Sequence, residues 1–343
     1  MSISNNTAKD AKYVNITMTT YNRLEFTRQS IDSLHRNNGY PFRLTVFDNG
    51  STDGTRQYLE SELEAGRIDK LFAAPENYGV AKAANVGMYA DPEAEYYLKI
   101  DNDIVIQKPN WLRDMVAVAD KIPQIGALAY NFEQASYPVR DFAGIPLRVK
   151  PEGNIGGACI LLPRRTIELL GAWNEDFGLY GEEDPDYCYR LTKAGLIFAY
   201  MEDENIGLHL PSGRAATIDP KTLEALDEME DSMHRDYRIW KDGQRRRNVQ
   251  SGVFHQTMLA YDTGKRPIKY DSEFARKYIS ANPGLAAKIP AVGKKTSVDI
   301  VIPVFNKLEL TRACLDAVRK TAPNDTELTV IVIDNGSSDG TRE

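Results

Sequence analysis

The sequence is short of cysteine, histidine and tryptophan, and it holds no long apolar run. Its three cysteines, Cys159, Cys188 and Cys314, lie far apart with no Cys-x-x-Cys spacing. That argues against a zinc cage or a disulfide framework and fits a reducing compartment. No stretch approaches the roughly 18 apolar residues of a membrane span. Residues 1–12 are polar and lack the apolar core of a signal peptide. Basic charge is scarce too: the net charge of −7 speaks against a general nucleic-acid binder, whose domains carry a strongly basic face. These shortages lead to the expectation of a cytoplasmic protein with no nucleic-acid partner. What remains is 343 residues, 42% hydrophobic and 27% charged, which is ample for a core and longer than one ordinary domain.

The first hundred residues alternate strand and helix. Residues 14–20 are rich in β-formers, 24–34 show helical spacing of Leu24, Ile31 and Leu34, and 43–47 form a second apolar run. Strand, helix, strand at this length is a βαβ unit and implies a parallel sheet. A helix over 55–63, a strand over 68–73 and an alanine-rich helix starting near Gly79 follow. A helix start with free amides is a natural seat for an anion; close packing on the sheet through small residues explains the same composition. Strands are expected at 96–100, 125–130, 155–162, 196–201 and 205–210, with helices at 111–119, one opened by Pro163 at its favoured first position, and at 187–194. The proline-rich stretch 131–153 breaks the pattern, as a loop or hairpin would.

The chemistry centres on Leu98-Lys99-Ile100-Asp101-Asn102-Asp103-Ile104. Residues i and i+2 of an extended chain point the same way, so Asp101 and Asp103 can converge on one cation at the carboxyl edge of a sheet, where open α/β sheets bind ligands. Paired carboxylates suit hard cations such as Mn2+ or Mg2+ carrying substrate phosphates. A second acidic run, Gly181-Glu182-Glu183-Asp184-Pro185-Asp186, leads into a helix. Asp184 there is placed to cap that helix. The run Gly293-Lys294-Lys295-Thr296 lacks the upstream glycine of a phosphate-binding loop.

Near residue 297 the beginning repeats. Val298 through Arg312 mirrors Val14 through Arg28, and Ile333 through Arg342 mirrors Phe47 through Arg56, with offsets that differ by two residues. Self-similarity at this distance is a duplicated domain, since solenoid periods are far shorter. The second copy stops after one βαβ unit and has no counterpart of Asp101-Asn102-Asp103 or Glu183-Asp184. Half a sheet cannot bury its own face, so the chain is expected to be part of a longer tandem protein.

In order, Thr20-Tyr21-Asn22, Asp48-Asn49-Gly50-Ser51-Thr52-Asp53-Gly54-Thr55, Asn77-Tyr78-Gly79 with Ala84-Asn85-Val86-Gly87, Asp101-Asn102-Asp103 and Glu183-Asp184 resemble the family 2 glycosyltransferases of the GT-A fold. The resemblance runs over roughly 13–210 and restarts near 297. It implies an α/β, Rossmann-like, mixed and mainly parallel sheet flanked by helices. The expected layout is a disordered N-terminus at 1–12, a GT-A domain at 13–218 and a C-terminal helical extension at 219–261. A linker at 262–296, with room for one short helix, then leads to the first βαβ unit of a second GT-A domain at 297–343.

The implied activity is inverting, metal-dependent transfer of a sugar from a nucleotide diphosphate sugar, UDP first, with dTDP and GDP as alternatives. The implied acceptor is a glycan or lipid-linked glycan, in bacterial polysaccharide synthesis at the inner face of the membrane. A non-catalytic nucleotide-sugar or glycan-binding module is the rival. Carried over residue by residue, Thr20, Tyr21, Asn22 and Asp48 would line the nucleobase and ribose pocket, with Asn77, Lys82, Asp101 and Asn102 nearer the base or diphosphate. Asp103 would be the direct metal ligand, with Asp101 and His209 beside it. Asp184, with Glu183 as competitor, would be the general base, and Trp173 and Gly157 would meet the acceptor. Asn49 stands where many members carry a second aspartate, which leaves the donor base open.

Overall fold

The computed structural model describes residues 12–132, 137–150, 154–202, 206–210, 257, 261, 269–282, 296–321 and 326–341. The N-terminal stretch 1–11, the residues 211–256 that hold most of the expected helical extension (Arg245–Arg247 among them), and 283–295 lie outside them. The chain divides into a larger unit, Ala11–Lys288, and a smaller one around Ile289–Glu343.

The larger unit opens with β1 (Val14–Thr20), α1 (Leu24–Asn37), β2 (Phe42–Asp48), α2 (Thr55–Glu64), β3 (Lys70–Ala73), α3 (Val80–Ala90) and β4 (Tyr96–Asp101). These strands lie parallel in the order β3-β2-β1-β4. Then follow β5 (Ile104–Ile106), α4 (Trp111–Lys121), β6 (Ile125–Ala129), the hairpin β7 (Val139–Phe142) and β8 (Ile145–Arg148), β9 (Cys159–Pro163), α5 (Arg164–Leu170), α6 (Glu183–Lys193), β10 (Ile197–Met201) and β11 (Gly207–His209). The main sheet runs β3-β2-β1-β4-β9-β6-β10-β8-β7, mixed and mainly parallel, and β5 pairs with β11 in a small antiparallel sheet.

Register decides where the ligand edge falls. Thr20 lies beside Asp48 and Thr19 beside Asp101, so β1, β2 and β4 end together. Strand β9 runs antiparallel to β4, with Ile100 opposite Cys159, and therefore starts at that same edge. The glycines at 156 and 157 are the loop leading into β9, not its first residues, which puts their backbone beside Asp101. Small residues let α3 close on the sheet: a Cβ on Gly87 would lie 2.0 Å from Thr17 Cγ2. Asn85, fully buried on α3, accepts the Trp173 amide N–H and donates to the Trp173 carbonyl.

Two sequence expectations change here. Pro163 is the residue before α5 rather than its first helical position. Residues 269–282, expected as spacer, pack back on the larger unit: Tyr270 bridges Gly171, Ser272 caps α7 (Glu273–Ala281), and Tyr278 meets Phe47 and Phe72. Aromatic area in a segment that otherwise looks polar accounts for this.

In the smaller unit β12 (Thr296–Val304) pairs in parallel with β13 (Thr326–Asp334), and α8 (Leu308–Thr321) connects them. Several of its apolar residues are exposed, Val301 at 53%, Leu310 at 68% and Ile333 at 48%, while Val304 is buried; Val46 and Phe47, strand residues of the first copy, are fully buried.

Asp186 and Arg190, i and i+4 on α6, form an ion pair at 2.9 Å with both side chains fully buried. Arg190 also donates to the Leu170 and Ala172 carbonyls. Removing one partner of such a pair strands the other charge, at about 3–5 kcal/mol. Arg190→Met is therefore expected to lower the stability of the larger unit by about that amount in urea unfolding, and a loss under 1 kcal/mol would contradict the account.

Candidate active site

Consecutive residues Asn22 (φ 57) and Arg23 (φ 68) adopt the left-handed conformation just before α1. A non-glycine residue there costs about 1 kcal/mol or more. Hydrogen bonds hold the turn: the Asn22 N–H donates to Ser51 Oγ, and Thr52 N–H donates to Asn22 Oδ1. Asn102 Nδ2 donates to Thr27 Oγ1 at 2.9 Å and reaches the Asn22 carbonyl at 3.4 Å. The turn after β4 is thus bolted to the start of α1, and Arg23 reaches over it. Its Nη1 lies 2.5 Å from Asp103 Oδ2, and His209 Nε2, delivered by β11, lies 3.4 Å from Asp103 Oδ1.

On the far side of β4, Lys99 is buried with its side chain 4% exposed. Its Nζ donates to the Gly157 carbonyl at 2.8 Å and to Asp101 Oδ1 at 3.3 Å. The Gly157 N–H donates to Asp184 Oδ2 at 2.9 Å, and Tyr200 Oη accepts the Gly156 N–H at 2.8 Å. Helix α6 starts at Glu183, four residues earlier than expected, so Glu183 and Asp184 stand in its first turn, where the helix dipole favours negative charge. Burial alone would depress the Lys99 ammonium, but the carboxylates of Asp101, Asp184 and Glu183 outweigh it and hold its pKa above the ordinary value. Burial, and then Asp184, push the Glu183 carboxyl up to about 7.

The charged groups among these face one open cleft. Thr19, Tyr21, Arg23, Asn49, Asn77, Val80, Lys99, Asp101, Asn102, Asp103, Leu179, Tyr180, Glu183, Asp184 and His209 line it. Thr19 Oγ1 is buried there with no hydrogen-bond partner among the described residues, an unmet polar group suited to a polar ligand. Of the residues expected from sequence, Tyr21, Asn77, Asp101, Asn102, Asp103, Glu183, Asp184 and His209 line the cleft.

The others do not line it. Asp48 is fully buried and spent on Thr20, Ser51 and Arg56, so Asp48 and Thr20 brace the β2 loop from behind. Asn22 is committed to the turn described above. Lys82 lies 5.1 Å over the Phe274 ring, drawn to α7. Trp173 is fully buried, 4.5 Å from the Tyr187 ring, and fills the core rather than meeting a sugar. Gly157 acts through its backbone: a Cβ there would fall 2.1 Å from Asp184 Oδ1. The first amide of α3, on Val80, donates to the Leu179 carbonyl and is not open to an anion. The cations Arg23 and Lys99 were missed. Lysine two residues before an aspartate on a strand shares its face, which was the available signal for Lys99.

Among the described residues no three His, Cys, Asp or Glu side chains form a ready-made metal cage. The donor set nonetheless fits a hard cation shared with a substrate phosphate, which takes one or two carboxylates from the protein. Asp103 and His209 face each other, and Asp101 presents a side chain 37% exposed to the same cleft.

The Glycosyl transferase family 2 model matches residues 15–140 and again 299–343. The chain belongs to that family. Its mixed, mainly parallel sheet is the GT-A arrangement that membership implies. An O-antigen biosynthesis protein, RfbC, of Myxococcus xanthus is 26% identical over 289 residues, which are 76% of this chain and 21% of that protein. An uncharacterized glycosyltransferase of Rickettsia felis is 21% identical over 96% of this chain and 54% of its own length. The chain thus spans from about a fifth to about half of these relatives. Among solved structures, a mannosyltransferase of Pyrobaculum calidifontis in complex with GDP-Man and Mn2+ aligns with a TM-score of 0.44. It is 17% identical, with 90% of this chain and 81% of that one covered.

Glu183 gives this family 2 site a pH signature. Its folded pKa of about 7 lies above the ordinary 4.5, so the folded state holds a proton that the unfolded state releases. The group costs stability progressively as pH rises from about 4.5 to about 7. Glu183→Gln removes that cost. The variant's melting temperature is expected to gain on the wild type between pH 5 and pH 8, and a constant difference across that window would refute the assignment.

Proposed function

We propose that the cleft transfers a sugar, with inversion, from a nucleoside diphosphate sugar to a hydroxyl of a glycan or lipid-linked glycan. One observation carries this reading: Asp101, Asp103 and His209 line the same cleft as Asp184. Asp103 and His209, with Asp101, would hold Mn2+ or Mg2+. A bound divalent cation supplies Lewis-acid stabilisation of the departing diphosphate. Tyr21, Asn49 and Asn77 would bind the nucleoside. Asp184 takes the acceptor proton as the new glycosidic bond forms. The Gly157 N–H holds its Oδ2 in place. Glu183, whose carboxyl burial and Asp184 push up to about 7, is the competing carboxylate for that role. Lys99 keeps the Asp101 and Asp184 sides of the cleft in register.

A UDP-sugar is the first donor to assay, with dTDP- and GDP-sugars next, since Asn49 replaces the aspartate that would narrow the choice. The likeness to the O-antigen biosynthesis protein supports a role in bacterial polysaccharide assembly at the inner face of the membrane. No helix among the described residues is long and apolar enough to cross a membrane. The second family match at 299–343 supports a further glycosyltransferase domain in the full-length protein.

Release of nucleoside diphosphate from a donor panel, with and without Mn2+, tests the reading. Turnover is expected only with metal and is expected to vanish in Asp103→Ala. Metal-independent silence across every donor would instead favour a binding module. Asp184→Asn is expected to lower kcat by about 10²- to 10⁴-fold, the usual reach of a general base, with UDP affinity unchanged. Gly157→Ala, which drives a methyl group against Asp184, is expected to act in the same direction; wild-type kcat in that variant would count against Asp184.

A further inference from the structure

We propose that Arg23 is a built-in counter-ion for Asp103: it holds the carboxylate until the divalent cation arrives, yields it, and then pairs with the donor's diphosphate. The proposal rests on the reading of Asp103 as a metal ligand. Three observations carry it. The Asp103 side chain is only 8% exposed, with Arg23 Nη1 2.5 Å from Oδ2 and His209 Nε2 3.4 Å from Oδ1. A cation joining that carboxylate would sit within a few ångströms of a guanidinium, where like charges in a partly desolvated site repel strongly. Arg23 and the metal therefore compete.

The second observation separates Arg23 from the other cation of the cleft. Lys99 is held by the Gly157 carbonyl and enclosed among three carboxylates, so its charge is fixed. Arg23 rises from a loop on a long side chain, 12% exposed, with its Nη1 on Asp103, and it lines the cleft. A guanidinium released there meets phosphate oxygens, which its planar fork can grip in pairs.

The third observation is strain. Arg23 occupies the left-handed region at φ 68 with no glycine to relax it, and such residues cluster where the strained geometry aims a side chain. The smaller unit repeats the device with a different cation, Lys307 at φ 66 after Asn306 at φ 55. What recurs is an asparagine followed by a positive charge in that conformation.

The test uses the full chain, with Mn2+ binding followed by electron paramagnetic resonance in the absence of nucleotide. Arg23→Gly removes the guanidinium and suits the left-handed backbone, so it is not expected to cost folding. It is expected to bind Mn2+ about tenfold more tightly than wild type, because Asp103 loses its internal partner. UDP affinity at saturating Mn2+, by calorimetry, is expected to fall about tenfold in the same variant and to recover in part in Arg23→Lys. Asp103→Asn is expected to lose Mn2+ binding. Arg23→Gly binding Mn2+ no more tightly, while Asp103→Asn binds none, would overturn the counter-ion role alone. Unchanged UDP affinity would overturn the diphosphate role. An Asp103→Asn that binds Mn2+ like wild type would overturn the ligand reading, and the proposal with it.

Discussion

One buried ammonium holds the two halves of this cleft together. Lys99 stands on the central strand β4, reaches Asp101 on its own strand and the Gly157 carbonyl on the loop before β9, and lies within the field of Asp184 and Glu183. A lone lysine in such a place would lose its proton. Four carboxylates around one cleft would repel one another and protonate. Each fault cancels the other, and the result is a charge arrangement fixed by the fold before any ligand enters. The proton that the acidic side still retains settles on Glu183, the more enclosed of the two neighbours on α6.

That arrangement needs the strands to end in step. If β1 slipped by one residue against β4, Thr19 would no longer stand beside Asp101, and every side chain of β1 would change face. The lock is steric: Gly87 leaves room for Thr17 and nothing more, while Asn85 ties α3 to the backbone of Trp173. Trp173 in turn packs on Tyr187 of α6, the helix that presents Asp184. A change at the back of α3 would therefore be felt at Asp184.

The legible parts of this molecule were those written in short-range pattern. Strands β1, β2 and β4 and helices α1, α2 and α4 follow from runs of β-formers and from apolar spacing, and their order implied the parallel half of the sheet. The acidic pairs were legible because two carboxylates in a short stretch are conspicuous. What the sequence hid depended on direction. Asp48 and Thr20 sit at strand ends beside the cleft, but their side chains face the β2 loop. Trp173 looks like a sugar platform until its burial is known. Lys82 follows an aromatic ring on α7, a segment whose docking depends on contacts nearly two hundred residues away in sequence. Arg23 gave no sign at all, because its aim comes from a positive φ that arginine seldom adopts.

The two copies of the opening unit separate what is local from what is not. In the second, Asn306 N–H donates to Ser337 Oγ at 2.7 Å, Leu308 N–H to Asp339 Oδ2 at 3.0 Å and Ser338 N–H to Asn306 Oδ1 at 2.9 Å. Asn22 with Ser51, Leu24 with Asp53 and Thr52 with Asn22 repeat these at 2.7, 3.0 and 2.8 Å. The loops that follow two neighbouring parallel strands, Asn22 with Ser51 and Asn306 with Ser337, thus suffice to specify the turn, its left-handed pair and the cation it carries. They do not suffice for a site. In the larger unit the cleft also needs the turn after β4, which carries Asp103, and the acidic start of α6, which come to the motif from far along the chain; the motif alone is only half of an ion pair.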